Sequence, residues 1–304
     1  MLQLGLCCSF IKEEIKFRAA TARYVGSLDS VTRREYIDRL LVDNSAALKQ
    51  AISWCAAHGV KAFRINSGLF PLYTHPLVGY EFDSIASVKL VREALTQAGA
   101  LARSQGIRLS FHPDQFVVPG SPTEKTVVAS LQELEYQALV SEIIGAEQLT
   151  LHGGGAFGDK SSALKRLVAG LARLSPRARK LIALENDDRV YTPADLLPVC
   201  EGEGIRFIYD VHHHRCLPDG MSEEEATERC RRSWGERPAW FHLSSPLNGW
   251  KKGDPRNHHD YINPKDVPLF WLGLNATVDV EAKAKELAVI RLLRWMKQQV
   301  PAAV

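Results

Sequence analysis

The stretch LIALEN (181–186) sets four apolar residues ahead of Glu185 and then turns polar. The same arrangement recurs in IRLSFHP (107–113), LTLHGG (149–154), IRFIYDV (205–211) and AWFHLSS (239–245), which finish on His112, His152, Asp210 and His242. NATVDVEA (275–282) repeats it with Glu281. Short apolar runs that each finish on an imidazole or a carboxylate describe parallel strands whose carboxyl ends build one polar rim. In a barrel of alternating strands and helices those ends converge on a single face, so residues remote in sequence become neighbours. Any one of the six could be a satisfied polar group where a strand meets water; together they make a metal site the leading reading.

Working outward, helical spacing fills the intervals. Residues 30–58 carry Tyr36, Leu40, Leu41, Ala47, Leu48, Ile52 and Cys55 on one face, with Ser30 as the expected cap and Gly59 as the stop. Further helices are expected over 83–105, from Pro122 to Gly145, and over 160–174, 193–200, 223–232, 264–274 and 283–298. Together with LQLGLCC and VKAFRIN near the start, this makes eight strands, each followed by a helical segment. The expectation is a single-domain TIM (β/α)8 barrel over 1–304. Two connections are long, residues 67–82 and 245–263, and both leave the carboxyl ends of strands, where long loops carry function.

Composition agrees with an enzyme that has one large core: of 304 residues 45% are hydrophobic and 24% charged. No apolar stretch approaches the roughly 18 to 20 residues of a membrane span, and MLQLGLCCSF has no basic segment before its apolar part, so a cytoplasmic location without membrane attachment is expected. Six cysteines without a CxxC pair argue for buried thiols over disulfides or a zinc finger. The formal charge of +3 permits a nucleic-acid partner without arguing for one.

The chemistry follows from the residue types. A carboxylate such as Glu185, between two sets of ligands, can bridge a pair of divalent ions, and two ions can clamp both the attacking and the leaving oxygen of a phosphodiester. Mixed imidazole and carboxylate ligands without cysteine suit Mn²⁺ or Zn²⁺ and are compatible with Fe²⁺, and the residue types do not choose among them. Arg64, Lys160, Lys251, Lys252 and Arg256 are candidate phosphate contacts around the rim. Gly153 to Gly155 could cradle a phosphate or ease a tight turn.

The blocks RINSGLFPLYTHP, SFHPDQFVVPGSP, LTLHGGGAFGDK, IALENDDRVYTPADLL, YDVHHH, HLSSP, HHDYI and VDVEAKAKE, in this order from about residue 61 to 286, resemble the UV damage endonuclease family, a relative of endonuclease IV. That resemblance implies an endonuclease that nicks damaged double-stranded DNA on the 5′ side of photoproducts and other lesions, with two to three divalent ions and no obligate protein partner. It implies one ion at His112, His152 and Glu185, a second at Glu185, Asp210, His242 and Glu281, and a third involving His213 and His258. Glu185, His258 and His75 would be catalytic, His75 touching a phosphate or the lesion. Gln115 and Phe116 match the amide and aromatic that wedge into the distorted duplex. His212 and His214 are read as loop residues. The chain departs from the family at Leu6, where a tyrosine is common, and at Trp240, where a lysine precedes the strand-seven histidine. Together the departures imply an altered metal shell and a broader or weaker damage specificity, and the missing lysine at Trp240 implies a weaker third ion. The rival reading is a metal-dependent sugar isomerase or epimerase on the same barrel.

Overall fold

The computed structural model describes residues 2–299. Met1 and residues 300–304, included in the expected domain, lie outside the described residues. Strands β1 (Gln3–Cys7), β2 (Ala62–Ile65), β3 (Arg108–Phe111), β4 (Gln148–His152), β5 (Ile182–Glu185), β6 (Arg206–Asp210), β7 (Ala239–Leu243) and β8 (Ala276–Val280) pair in parallel and in sequential order, and β8 closes onto β1. The intervals hold α1 (Ala22–Ser27), α2 (Ser30–His58), α3 (Val88–Ser104), α4 (Glu124–Ile144), α5 (Lys160–Leu171), α6 (Pro176–Arg179), α7 (Pro193–Glu203), α8 (Val211–Cys216), α9 (Glu223–Ser233) and α10 (Lys285–Gln299). This is the TIM barrel expected from the strand pattern.

Alternation along each strand sorts the side chains. Phe63, Leu149, Leu151, Ile182, Leu184, Phe207 and Phe241 are buried against the helices. Their neighbours Arg64, Ser110, Thr150, Glu185, Asp210, His242 and Asp279 face the barrel axis and are also buried. Parallel register then sets His152 beside Glu185 and Asp210 beside His242. Residues that end separate apolar runs thereby become lateral neighbours at one mouth of the barrel.

Local chemistry accounts for the helix ends, and for where they differ from expectation. The cap of α2 is Asp29, whose carboxylate accepts from the Val31 and Thr32 amides, one residue before the expected Ser30. Gly59 stops the helix at φ 73°. The helix expected from residue 83 starts only at Val88, because Ser87 is held by its amide and hydroxyl to Asp38 on α2. Residues 264–274 form two 3₁₀ turns, Pro264–Asp266 and Leu269–Gly273, since Pro264, Pro268 and Gly273 interrupt any longer helix. His212 and His214, expected in a loop, lie in α8, which Asp210 caps by accepting from the His213 amide.

Candidate metal centre

Glu185 ends β5 fully buried, with imidazoles at both carboxylate oxygens. Oε2 lies 2.9 Å from His112 Nε2 and 3.8 Å from His152 Nε2; Oε1 lies 2.8 Å from His242 Nδ1 and 3.6 Å from His213 Nδ1. Four ligand groups overlap here: His112–His152–Glu185, Glu185–Asp210–His213, Glu185–His242–Glu281 and His213–His258–Glu281. Within each group the donor atoms lie within 4.8 Å of one another. Glu185 belongs to three of the four, as a bridging carboxylate would.

Each ligand is aimed by a neighbour. His112 Nδ1 lies 3.1 Å from the Pro113 carbonyl, so donation there would free the Nε2 lone pair for an ion, in place of the hydrogen bond that Nε2 otherwise donates to Glu185. Asp210 is set by Asn186, which exchanges two hydrogen bonds with its backbone, accepting from the amide at 3.0 Å and donating to the carbonyl at 2.8 Å. His258 arrives from far along the chain. The loop after β7 folds back as an antiparallel hairpin, pairing Pro246 with His258, and brings His258 Nδ1 to 3.8 Å from Glu281.

The electrostatics suit cations. Burial would raise the Glu185 carboxyl, but the His242 and His152 imidazoles and the hydrogen bonds from His112 and His242 hold it well below its ordinary range. Burial opposes a charge on His213 too, yet Asp210, Glu185 and Glu281 outweigh it and carry the imidazole up to about 9. At His152 burial wins and the ring is held neutral more readily, as a ligand must be. His152 Nδ1, Asp210 Oδ2 and His242 Nε2 are buried without a hydrogen-bond partner. Unsatisfied buried nitrogens and oxygens of this kind are what a bound divalent ion and its hydrogen-bonded surroundings would satisfy, so the donor set fits the expected metal.

The other candidate residues divide. Gln115 and Phe116 are exposed at the tip of the turn after β3, where Asp114 accepts from the Phe116 amide; Phe116 is 77% exposed. Lys251 and Lys252 are exposed on the long loop after β7. Lys160 is paired with Asp195 at 2.7 Å and Arg256 with Asp254 at 2.8 Å. His75 stays in the loop after β2, its Nδ1 accepting from the Leu77 and Val78 amides, in a cleft that also includes Arg173 and Arg177. Gly153 makes room for the Tyr191 ring, which a Cβ would meet at 2.5 Å.

Two placements correct the sequence reading. Arg64, expected on the rim, lies inside the barrel, bonded to Asp279 at 3.1 Å and Glu281 at 2.6 Å. Leu6 belongs to the layer between strands and helices, because Gly5 and Cys7 on either side of it face inward. A Cβ on Gly5 would meet Asp279, and the Cys7 thiol lies 3.0 Å from Arg64. Its side chain therefore cannot alter the metal shell. Trp240 does face inward, but one layer beneath His242, with the Arg108 guanidinium 4.4 Å above its ring. Sequence reasoning missed Asn186 and Asp279. Asp279 on β8 stands two residues before Glu281, and that spacing was the available signal.

Comparison with known proteins places the chain. The family described as UV-endonuclease UvdE matches residues 2–302. A UV DNA damage endonuclease of Deinococcus radiodurans is 33% identical across an alignment that covers 97% of each protein. A UV-damage endonuclease of Neurospora crassa is 32% identical over 281 residues, 86% of this chain but 42% of that longer protein. The crystal structure of SacUVDE superposes with a TM-score of 0.88 at 26% identity, covering 98% of this chain and 99% of that one. Endonuclease IV of Thermus thermophilus superposes with a TM-score of 0.62 at 14% identity, covering 98% and 100%, and shares the fold.

Proposed function

The chain belongs to the UV-endonuclease family of DNA-repair nucleases, and on that premise we propose that it is a metal-dependent endonuclease that cuts damaged double-stranded DNA on the 5′ side of a lesion. The observation that carries the metal dependence is Glu185, buried between imidazoles on both oxygens and common to three ligand groups. We assign His112, His152 and Glu185 to one ion, Glu185, Asp210, His242 and Glu281 to a second, and His213, His258 and Glu281 to a third, with Mn²⁺ first and Zn²⁺ second. Divalent ions held there would supply the charge that activates water and stabilises the phosphoryl transition state.

The remaining residues bind and orient DNA. The exposed Gln115 and Phe116 stand clear of the ligand groups, able to fill the gap left when poorly stacked bases leave the duplex. Because Nδ1 of His75 accepts two amides, its Nε2 carries the proton and can donate to a phosphate or to the lesion. Lys251 and Lys252 meet the backbone first, and Lys160 and Arg256 do so by exchanging a carboxylate partner for a phosphate. His258, 3.3 Å from the Ser244 hydroxyl through Nε2 and only a quarter exposed, stands at the edge of the third ligand group, where it would meet the departing oxygen.

The test is elemental analysis of protein loaded with Mn²⁺ or Zn²⁺, together with nicking of UV-irradiated and undamaged plasmid. At least two ions and selective nicking are expected, with E185Q losing both. A stoichiometry of one or less, or nicking that survives exhaustive chelation, overturns the reading. A single ion together with turnover of a ketose or aldose would favour the isomerase instead.

A further inference from the structure

Arg64 begins on β2 and reaches across β1 to Asp279 on β8 and Glu281 just beyond its end. The crossing is possible because the intervening strand offers almost nothing there. Gly5, paired with Asp279 on one side and Ala62 on the other, has no side chain, and a Cβ would lie 2.3 Å from Asp279 Oδ1. Through the gap Arg64 Nε donates to Asp279 Oδ2 at 3.1 Å and Nη2 donates to Glu281 Oε1 at 2.6 Å, with the Cys7 sulfur 3.0 Å from Nη2. The guanidinium is 9% exposed, so it cannot meet a DNA phosphate.

Both carboxylates in turn face His242. Glu281 Oε1 lies 3.4 Å from His242 Nδ1, on the side of Glu185, and Asp279 Oδ2 lies 3.6 Å from His242 Nε2 on the far side of the ring. The second oxygen of Glu281 is turned to His258. A metal-binding imidazole is ordinarily oriented by a carboxylate on its other nitrogen. A planar fork that binds two carboxylates at once fixes their spacing in a way that a flexible ammonium does not.

We propose that Arg64 is a positioning residue for the metal centre. From beneath the ligands it fixes Glu281 as a ligand for the ions shared with His242 and with His213 and His258, and sets Asp279 against the outer nitrogen of His242. The ion at His112, His152 and Glu185 does not depend on it. This inference rests on the metal reading above. It makes the buried arginine part of the site, in place of a phosphate contact.

The experiment is titration of chelator-stripped protein with Co²⁺ alone, following visible absorption, in wild type, R64K and the double variant R64Q/D279N. The double variant avoids leaving an unpaired buried aspartate beside a neutral residue, and thermal unfolding of each stripped protein reports folding separately. Wild type should fill in steps. In both variants the first step should be kept, while the steps that use Glu281 weaken by about 10- to 100-fold with an altered Co²⁺ spectrum. R64K, which retains the charge, should recover thermal stability without recovering those steps. Wild-type affinities and spectrum at every step in R64K overturn the proposal, as does a parallel loss of all steps with stability, which marks a purely structural arginine. A wild-type titration with no ion beyond the first removes the metal reading itself.

Discussion

At the scale of single residues, the division of labour is between groups locked inside the barrel and groups held out in water. Gln115 and Phe116 belong to the second kind. Phe116 is 77% exposed, and neither residue touches a ligand group. Replacing both by alanine should reduce the preference for damaged over intact duplex by about 1–3 kcal/mol per lost stacking contact. Metal content should stay at the wild-type value. Nicking assays at matched salt, paired with elemental analysis, decide this; full discrimination in the double mutant would remove the wedge. Glu133 on α4 lies between the two, half-buried in the helical layer. Burial pushes its carboxyl up, against the hydrogen bonds donated by Gln137 and Thr74. A carboxyl raised in the folded state favours folding fully below its unfolded value of about 4.3, and that contribution is lost as pH rises through the folded value. E133Q cannot ionise, so urea unfolding should show it gaining on wild type from acid to neutral pH. A constant difference between the two would mean that Glu133 titrates alike in both states.

At the scale of elements, the helical layer is fitted backbone to backbone in one place. Gly99 on α3 lies against the carbonyl end of α4, where a Cβ would stand 2.1 Å from the Ile144 oxygen. Gly99→Ala should therefore cost about 1–3 kcal/mol, although alanine is the better helix former, because the two helices must separate. Urea midpoints measure it, and a stabilised variant would show that the helices part freely. Because α4 follows the turn that carries Phe116, the same substitution should also weaken lesion discrimination more than metal binding. The element boundaries show how far local signals reach. The cap and stop of α2 lie within one residue of expectation, since side chains three or four positions apart decide them. The start of α3 differs by five residues, because Asp38 on another helix holds Ser87.

At the scale of the whole molecule, the barrel stores negative charge. Glu185, Asp210 and Asp279 are fully or almost fully buried on the axis, Glu281 stands at the mouth, and Arg64 bonds two of these four. Ions that bind only the folded barrel stabilise it by about 2.7 kcal/mol when their free concentration is a hundredfold above the dissociation constant. Chelation should therefore lower the melting temperature by several degrees and restoration of Mn²⁺ should return it. Differential scanning calorimetry provides the check. A melting temperature indifferent to chelation would mean that the carboxylates are neutralised by protons and Arg64 alone. No helix among the described residues is long and apolar enough to cross a membrane.

By itself the sequence determined the eight strands, their parallel order and the six candidate ligands at their ends, because alternation and helical spacing are properties of adjacent residues and each candidate closes its own apolar run. The faces were harder. Leu6 and Gly5 differ by one position, and one position is the difference between the helical layer and the barrel axis. The tertiary structure alone decided that Arg64 turns inward to carboxylates more than 200 positions away, that Asn186 aligns Asp210, and that a hairpin returns His258 to Glu281. The Arg64 pairing exists only once the barrel has closed, since closure sets β8 beside β1 and so brings the first and last strands to one site.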